Sequence, residues 1–192
     1  MIKEPQKKIE IGTVIKPDIL EKPVNVVYLG IGSNIGNRIT YIEKAKSLLL
    51  DNNINPIAIS SYYETPSWPN PKNPKYINIV LKVLCVHNPR ELLYLFKTIE
   101  VKLGRKKSPK NAPRECDIDI IDFKGMVLIG KLNLPHKMMH KRNFVLFPLF
   151  EIEKKWVHPL TKTNIKDLIL SLSTNEIRSI KQIWINAIIK YA

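Results

Sequence analysis

Residues 113–122 read P-R-E-C-D-I-D-I-I-D, and no other run constrains the fold of this chain as tightly. Side chains alternate along a strand, so Asp117 and Asp119 share one face while Cys116, Ile118 and Ile120 take the other. Aspartate is a poor strand former, and neighbouring carboxylates repel each other. Two arrangements accommodate the pair. One is a divalent cation between them, with Arg114 placed to hold an anion nearby; the other is the solvated outer face of an edge strand. Asp122, the third acid, falls on the opposite face if the strand continues that far.

A chain of 192 residues is expected to form one domain and to bury a core without covalent staples. Lysine and arginine number 31 against 17 acids, a net charge of +14. Such an excess speaks of partners (nucleic acid, anionic membrane or phosphorylated ligands) and not of fold. No apolar run approaches the roughly 18 residues that a membrane helix needs. The first ten residues are charged and lack an apolar core, so neither a secretory nor a transit peptide is expected. Cys85 and Cys116 have no metal or redox spacing, which fits a reduced, cytosolic compartment.

Residues 1–24 hold no period and read as an N-terminal extension to a domain spanning residues 25–192. A strand over V-N-V-V-Y-L-G is followed by G-I-G-S-N-I-G-N-R and a helix through Leu50, with Ile39, Ile42, Ala45, Leu48 and Leu49 at helical spacing. The glycines are not a dinucleotide fingerprint: the third would stand at Ile35, and Asp51 sits in a turn. They read as a tight strand-to-helix turn with Asn37 as the helix cap. A strand over residues 56–64 leads into a proline-dense loop holding Trp68, an unusual loop residue unless it packs or binds something. The strand over residues 76–86 sets Tyr76, Asn78 and Val80 against Ile77, Ile79 and Leu81. Its asparagine suits either a flat polar ligand or a hydrogen-bonded core amide.

Pro89 opens an amphipathic helix closed by Gly104, and a basic loop with two prolines follows. After the aspartate strand, Lys124–Gly125 suits a hairpin turn. His136, His140, Lys141 and Arg142 then concentrate donors and positive charge, and one or two closing helices after Thr163 read as packing. The βαββαβ order suits a ferredoxin-like α+β sandwich, an antiparallel sheet with helices on one face.

The ordered set G-S-N-I-G-N-R, Y-Y-E-T-P, Y-I-N, I-E-x-x-x-G-R, P-R-x-x-D-I-D-I, L-P-H and R-x-F-V-L-x-P-L resembles the 6-hydroxymethyl-7,8-dihydropterin pyrophosphokinases of folate biosynthesis, over about residues 26–159. The resemblance implies transfer of pyrophosphate from ATP to the pterin hydroxymethyl group with release of AMP, two magnesium ions and a ferredoxin-like fold. It assigns Asp117 and Asp119 to magnesium and the pterin to Tyr76 and Phe144, with Asn78 and the backbone near Thr65 and Pro66 at the ring edge. It assigns Glu100, Arg105, Lys107, Arg114, Ile120, His136 and Arg142 to ATP, with Lys131 and Leu132 near adenine and ribose. Arg105, Arg114, Asp117 and Asp119 would be catalytic, and no covalent intermediate is implied.

Departures from the family pattern fall in the basic loop, where Lys110 or Asn111 replaces a tryptophan and Lys107 a second arginine; Lys137 also replaces an aromatic after P-H. Lysine supplies charge without the planar fork of arginine. A nucleic-acid-binding module is the main competing reading, since ferredoxin-like sheets bind RNA elsewhere. The aromatic strand such modules carry is missing, and D-x-D repels phosphate unless loaded with metal. A catalytically dead scaffold would not need the full set of site residues. A cytoplasmic monomer without nucleic-acid or membrane partners is expected.

Overall fold

The computed structural model describes residues 23–109 and 111–184. The expected extension therefore lies, as far as residue 22, outside the described residues, as does Lys110. Strands β1 (Asn25–Ser33), β2 (Asn55–Ile59), β3 (Tyr62–Thr65), β4 (Tyr76–Cys85), β5 (Asp117–Phe123) and β6 (Lys181–Ile183) form one sheet. Its order is β5-β1-β4-β3-β6, with β2 also beside β4, and every pairing is antiparallel. Helices α1 (Arg38–Leu50) and α2 (Pro89–Lys102) follow β1 and β4, so the order is βαβββαβ, the expected βαββαβ with one strand divided.

Both helices start where the sequence provides caps. The Asn37 side chain accepts the Thr40 N–H, and Asn88 and Glu91 form a reciprocal capping box behind Pro89. Gly104 ends α2 at φ +105°, a conformation open to glycine. Ile42, Ala45 and Leu49 of α1 and Leu92, Phe96 and Ile99 of α2 pack on Val27, Leu29, Ile31, Ile77, Ile79, Leu81, Ile118 and Ile120. Burial of each large side chain contributes about 1.5–3 kcal/mol.

The single strand expected over residues 56–64 is two, broken at Ser60–Ser61. There the Ser60 hydroxyl accepts the Val80 N–H in place of a backbone carbonyl, and Glu151 accepts from both the N–H and the hydroxyl of Ser61. The Lys124–Gly125 turn forms with both residues at positive φ, but the returning chain makes only an isolated bridge, Leu128 to Leu134. The closing helices are α4 (Ile165–Leu170) and α5 (Thr174–Ser179), and β6 beyond them pairs with β3.

Helices are not confined to one face. Helix α3 (Asn143–Ile152) covers the other side, where Leu146 and Leu149 pack with Tyr28, Val80, Ile121 and Trp156. Its sequence, N-F-V-L-F-P-L-F-E-I, is apolar nearly all round, which suits a helix buried between the sheet and its own neighbours.

Strand β5 continues through Phe123, yet Asp122 does not fall opposite Asp117 and Asp119. The register pairs Tyr28 with Asp122 but Leu29 with Ile120, so a bulge at Ile121 turns Asp122 back to the α3 face. There the buried Asp122 carboxylate accepts the Trp156 indole N–H at 2.9 Å and the Gly125 N–H at 3.0 Å. Removing the indole donor leaves a carboxylate oxygen buried without its partner, a loss of about 1–3 kcal/mol. Trp156→Phe is expected to lower the thermal midpoint by roughly 3–10 °C; an unchanged midpoint contradicts this role.

Candidate active site

Gly30 and Gly32, expected in a turn, are inside β1, where they pair with Asp119 and Asp117. Gly32 also pairs with Asn78 on the other side, so Asp117, Gly32 and Asn78 form one row across three strands. A Cβ on Gly32 would lie 2.7 Å from Asn78 Oδ1, and one on Gly30 would lie 3.3 Å from Ile121. The glycines keep this floor bare between an acidic strand and a polar one. The true turn is residues 34–37, with Gly36 at φ +61°.

Over that floor opens a cleft of about 850 Å³, its mouth included. Thr65, Pro66, Tyr76 and Asn78 line it from β3, β4 and the loop between them, Arg114, Asp117 and Asp119 from β5 and the loop before it on the other side of β1, and His136, Arg142 and Phe144 from the chain after β5. The buried Asn78 amide donates to Thr65 Oγ1 at 3.1 Å, which fixes the orientation of its carbonyl oxygen.

Asn34 ties the loops around the cleft together. It exchanges two hydrogen bonds with Arg114: its N–H donates to the Arg114 carbonyl at 3.1 Å, and its Oδ1 accepts the Arg114 N–H at 2.7 Å. Its Nδ2 donates to the Pro74 carbonyl at 3.1 Å. Arg38 adds a second tie, donating to Glu64 at 3.2 Å and to the Lys75 carbonyl at 2.9 Å.

The charges form a chain of alternating sign. Glu100 is fully buried; its Oε1 accepts the Ile118 N–H at 3.0 Å, and its Oε2 meets Arg105 at 2.5 Å and Lys97 at 2.9 Å. Arg105 continues to Asp117 at 2.9 Å, which also receives Arg114 at 3.0 Å. Asp119 is worse served, with Arg142 at 4.0 Å. Its recessed position and the neighbouring Asp117 carboxylate push its carboxyl up to about 6. Burial, then the adjacent Arg142, pushes the His136 imidazole down to about 4, so it is neutral at physiological pH. Burial also lifts the Cys116 thiol to about 12, leaving it unreactive.

Arg142 is half-buried, and its Nε is buried without a partner among the described residues. Its guanidinium lies 5.3 Å from the Trp68 ring and 5.5 Å from the Phe144 ring, and 3.4 Å from His136 Nε2. No group of three or more His, Cys, Asp and Glu gathers among the described residues. The aspartate pair is therefore not a closed protein cage. It fits a hard cation such as magnesium, which takes one or two carboxylates and completes its shell with phosphate and water. Carboxylates for a cation, several arginines for phosphates and an aromatic, amide-bearing pocket beside them describe a site for a nucleotide and a flat heterocycle.

A family model for 7,8-dihydro-6-hydroxymethylpterin-pyrophosphokinase matches residues 28–154. The chain belongs to this family. A 2-amino-4-hydroxy-6-hydroxymethyldihydropteridine pyrophosphokinase from Aquifex aeolicus is 41% identical over 142 residues, covering 73% of this chain and 88% of that one. Its counterpart from Bacillus subtilis is 37% identical over 130 residues, covering 67% and 78%. A crystal structure of Plasmodium falciparum HPPK-DHPS A437G with pteroate shares the fold, with a TM-score of 0.68 at 15% identity. That likeness covers 86% of this chain and 48% of the Plasmodium chain, so this chain spans about half its length. The protein is an ATP-dependent pyrophosphokinase of folate biosynthesis.

Ten of the residues singled out from the sequence of this pyrophosphokinase converge on the cleft: Thr65, Pro66, Tyr76, Asn78, Arg114, Asp117, Asp119, His136, Arg142 and Phe144. Arg105 and Glu100 stand behind it, joined through Asp117. Ile120 turns its side chain into the core under the helices, and Leu132 packs partly against that core. Exposed Lys107 and Lys131 do not line the cleft. Trp68, Asn111, Ile121 and Val145 line it without having been assigned. Of these, Trp68 stood out in the sequence as a large aromatic on a loop, and Asn111 as a position where the family pattern has a tryptophan.

A carboxylate whose folded pKa exceeds its unfolded value of about 4 carries a cost absent below that pH and complete above about pH 6. The Asp119 side chain is 47% exposed, so screening reduces that cost to the order of 1 kcal/mol. Asp119→Asn is therefore expected to raise the midpoint of magnesium-free protein at pH 7.5 by about 2–4 °C, with no gain near pH 4. A variant no more stable than the parent at pH 7.5 contradicts the repulsion.

Proposed function

We propose that the two ends of the cleft divide the substrates of this pyrophosphokinase between them. The pterin ring of 6-hydroxymethyl-7,8-dihydropterin stacks between Tyr76 and Phe144, with Asn78 and the backbone at Thr65 and Pro66 reading its edge. ATP lies along Arg114, His136 and Arg142, with Arg105 and Glu100 backing them through Asp117 and adenine and ribose toward Leu132; the side chains of core Ile120 and of exposed Lys107 and Lys131 have no place in the cleft. Supporting this division, Thr65, Tyr76 and Asn78 stand on β3 and β4, and Asp117 and Asp119 on β5 across β1 from them.

Asp117 and Asp119 would hold two magnesium ions, which neutralise phosphate charge when bound. The side chains position and stabilise. The pterin hydroxyl oxygen bonds to the β-phosphorus of ATP and loses its proton to solvent, while the bond from that phosphorus to the bridging oxygen breaks and AMP leaves with that oxygen. Arg105 and Arg114, anchored on Asp117, present fixed N–H donors to the developing phosphate charge, a contribution that needs no reorganisation during transfer. Neutral His136 offers a ring nitrogen without adding charge.

The observation that carries this reading is the aspartate pair on one face of β5, set among three arginines and across a glycine floor from Asn78. The catalytic unit is taken as residues 25–192, working as a cytoplasmic monomer without nucleic-acid or membrane partners. No helix among the described residues is long and apolar enough to cross a membrane.

The test is AMP release from ATP, expected only with magnesium and the hydroxymethyl pterin together. Asp117→Asn and Asp119→Asn are expected to lower kcat by roughly 10²–10³, the scale of losing a charge-stabilising group, while pterin affinity stays within a few-fold. ADP as product, or near-normal rates for either variant across magnesium concentrations, contradicts the assignment.

A further inference from the structure

Arg142 is the cleft arginine that no carboxylate holds closely. Arg105 and Arg114 each bond Asp117 at 3.0 Å or less, whereas Arg142 reaches Asp119 only at 4.0 Å. What surrounds its guanidinium instead is aromatic: Trp68 at 5.3 Å and Phe144 at 5.5 Å. Guanidinium groups stack on aromatic faces, and the attraction grows as water is excluded. Stacking leaves the edge N–H groups open to acceptors in the guanidinium plane: one nitrogen faces His136 Nε2 at 3.4 Å, and the buried Nε is unpartnered among the described residues. The two rings come from different parts of the chain. Phe144 belongs to α3, while Trp68 sits on the proline-rich loop that follows β3 and also carries Pro66.

Trp68 also separates two spaces. With Pro66, Arg142 and Phe144 it lines both the substrate cleft and a second cavity behind it, where Pro69, Pro71 and Glu176 appear. The ring is 49% exposed, so its place is not fixed by core packing. Its partner in the structure is the arginine.

We propose that Trp68 is a positioning residue for ATP: its ring holds the Arg142 guanidinium with its free N–H edge turned to the phosphates. This rests on the reading of Arg142 as an ATP ligand. It makes the loop at the pterin end and an arginine at the ATP end one mechanical unit, through a contact that is neither a hydrogen bond nor an ion pair.

Steady-state kinetics of the full chain at saturating pterin test this. Trp68→Leu is expected to raise the KM for ATP roughly three- to thirtyfold, the span of a partly desolvated cation–π contact, with kcat within about twofold. Trp68→Phe keeps an aromatic face and is expected to recover most of the loss. In an Arg142→Ala background, Trp68→Leu is expected to add no further change in the KM for ATP. An unchanged KM for ATP in Trp68→Leu, a Trp68→Phe variant as impaired as Trp68→Leu, or a full additional loss in the Arg142→Ala background would overturn the proposal. If Arg142→Ala alone leaves the KM for ATP unchanged, the reading of Arg142 fails, whatever Trp68 does.

Discussion

The repulsion between Asp117 and Asp119 is the constraint around which this fold is arranged. Two carboxylates on one face of a strand are tolerated because the neighbouring elements bring cations to them at different strengths. Asp117 receives two arginines within 3.0 Å, and Glu100, sealed beneath, anchors one of them. Asp119 receives only the distant Arg142. The pair is thus half neutralised, stable enough to fold and still short of positive charge. That deficit is the physical property a magnesium–nucleotide complex would supply, and it places a cost on the empty protein for the sake of the loaded one.

The rest of the sheet serves the same need. Gly30 and Gly32 leave a bare floor beside the aspartates, where any larger side chain would meet Asn78 or Ile121. The bulge at Ile121 ends the acidic run by turning Asp122 to Trp156, which keeps a third carboxylate bonded in the α3 layer. Asn34 ties Arg114 to the loop at Pro74, so the segment before β5 and the loop before β4 are held by one side chain. Ties of this kind hold polar groups in place where a hydrophobic core cannot reach.

Much of this was legible in the sequence because it depends on local rules. Alternation placed Asp117 and Asp119 together, and caps at Asn37, Asn88 and Gly104 marked the helices. The motifs that resemble the pyrophosphokinases named ten of the residues that line the cleft, together with Lys107, Ile120 and Lys131, which do not. What escaped depends on pairing between distant strands. Gly30 and Gly32 read as a turn because glycine usually marks one; only the register with β4 and β5 shows why a strand needs them there. The break at Ser60 requires the Val80 N–H as partner, and the misplacement of Asp122 requires a bulge that no alternation pattern contains. Helix α3 was not read from the sequence at all, and its apolar girth sets it on the face opposite α1 and α2. Trp68 was visible as an oddity, but its partner Arg142 lies far along the chain.

The central claim is that the aspartate pair binds divalent cations in company with nucleotide phosphates and not as a protein cage. Manganese, a spectroscopic substitute for magnesium, allows bound ions to be counted by electron paramagnetic resonance. The account predicts weak binding to the protein alone and two tightly held ions once a non-hydrolysable ATP analogue is added. Tight binding without nucleotide, or unchanged stoichiometry with nucleotide when both aspartates are replaced by asparagine, would contradict it.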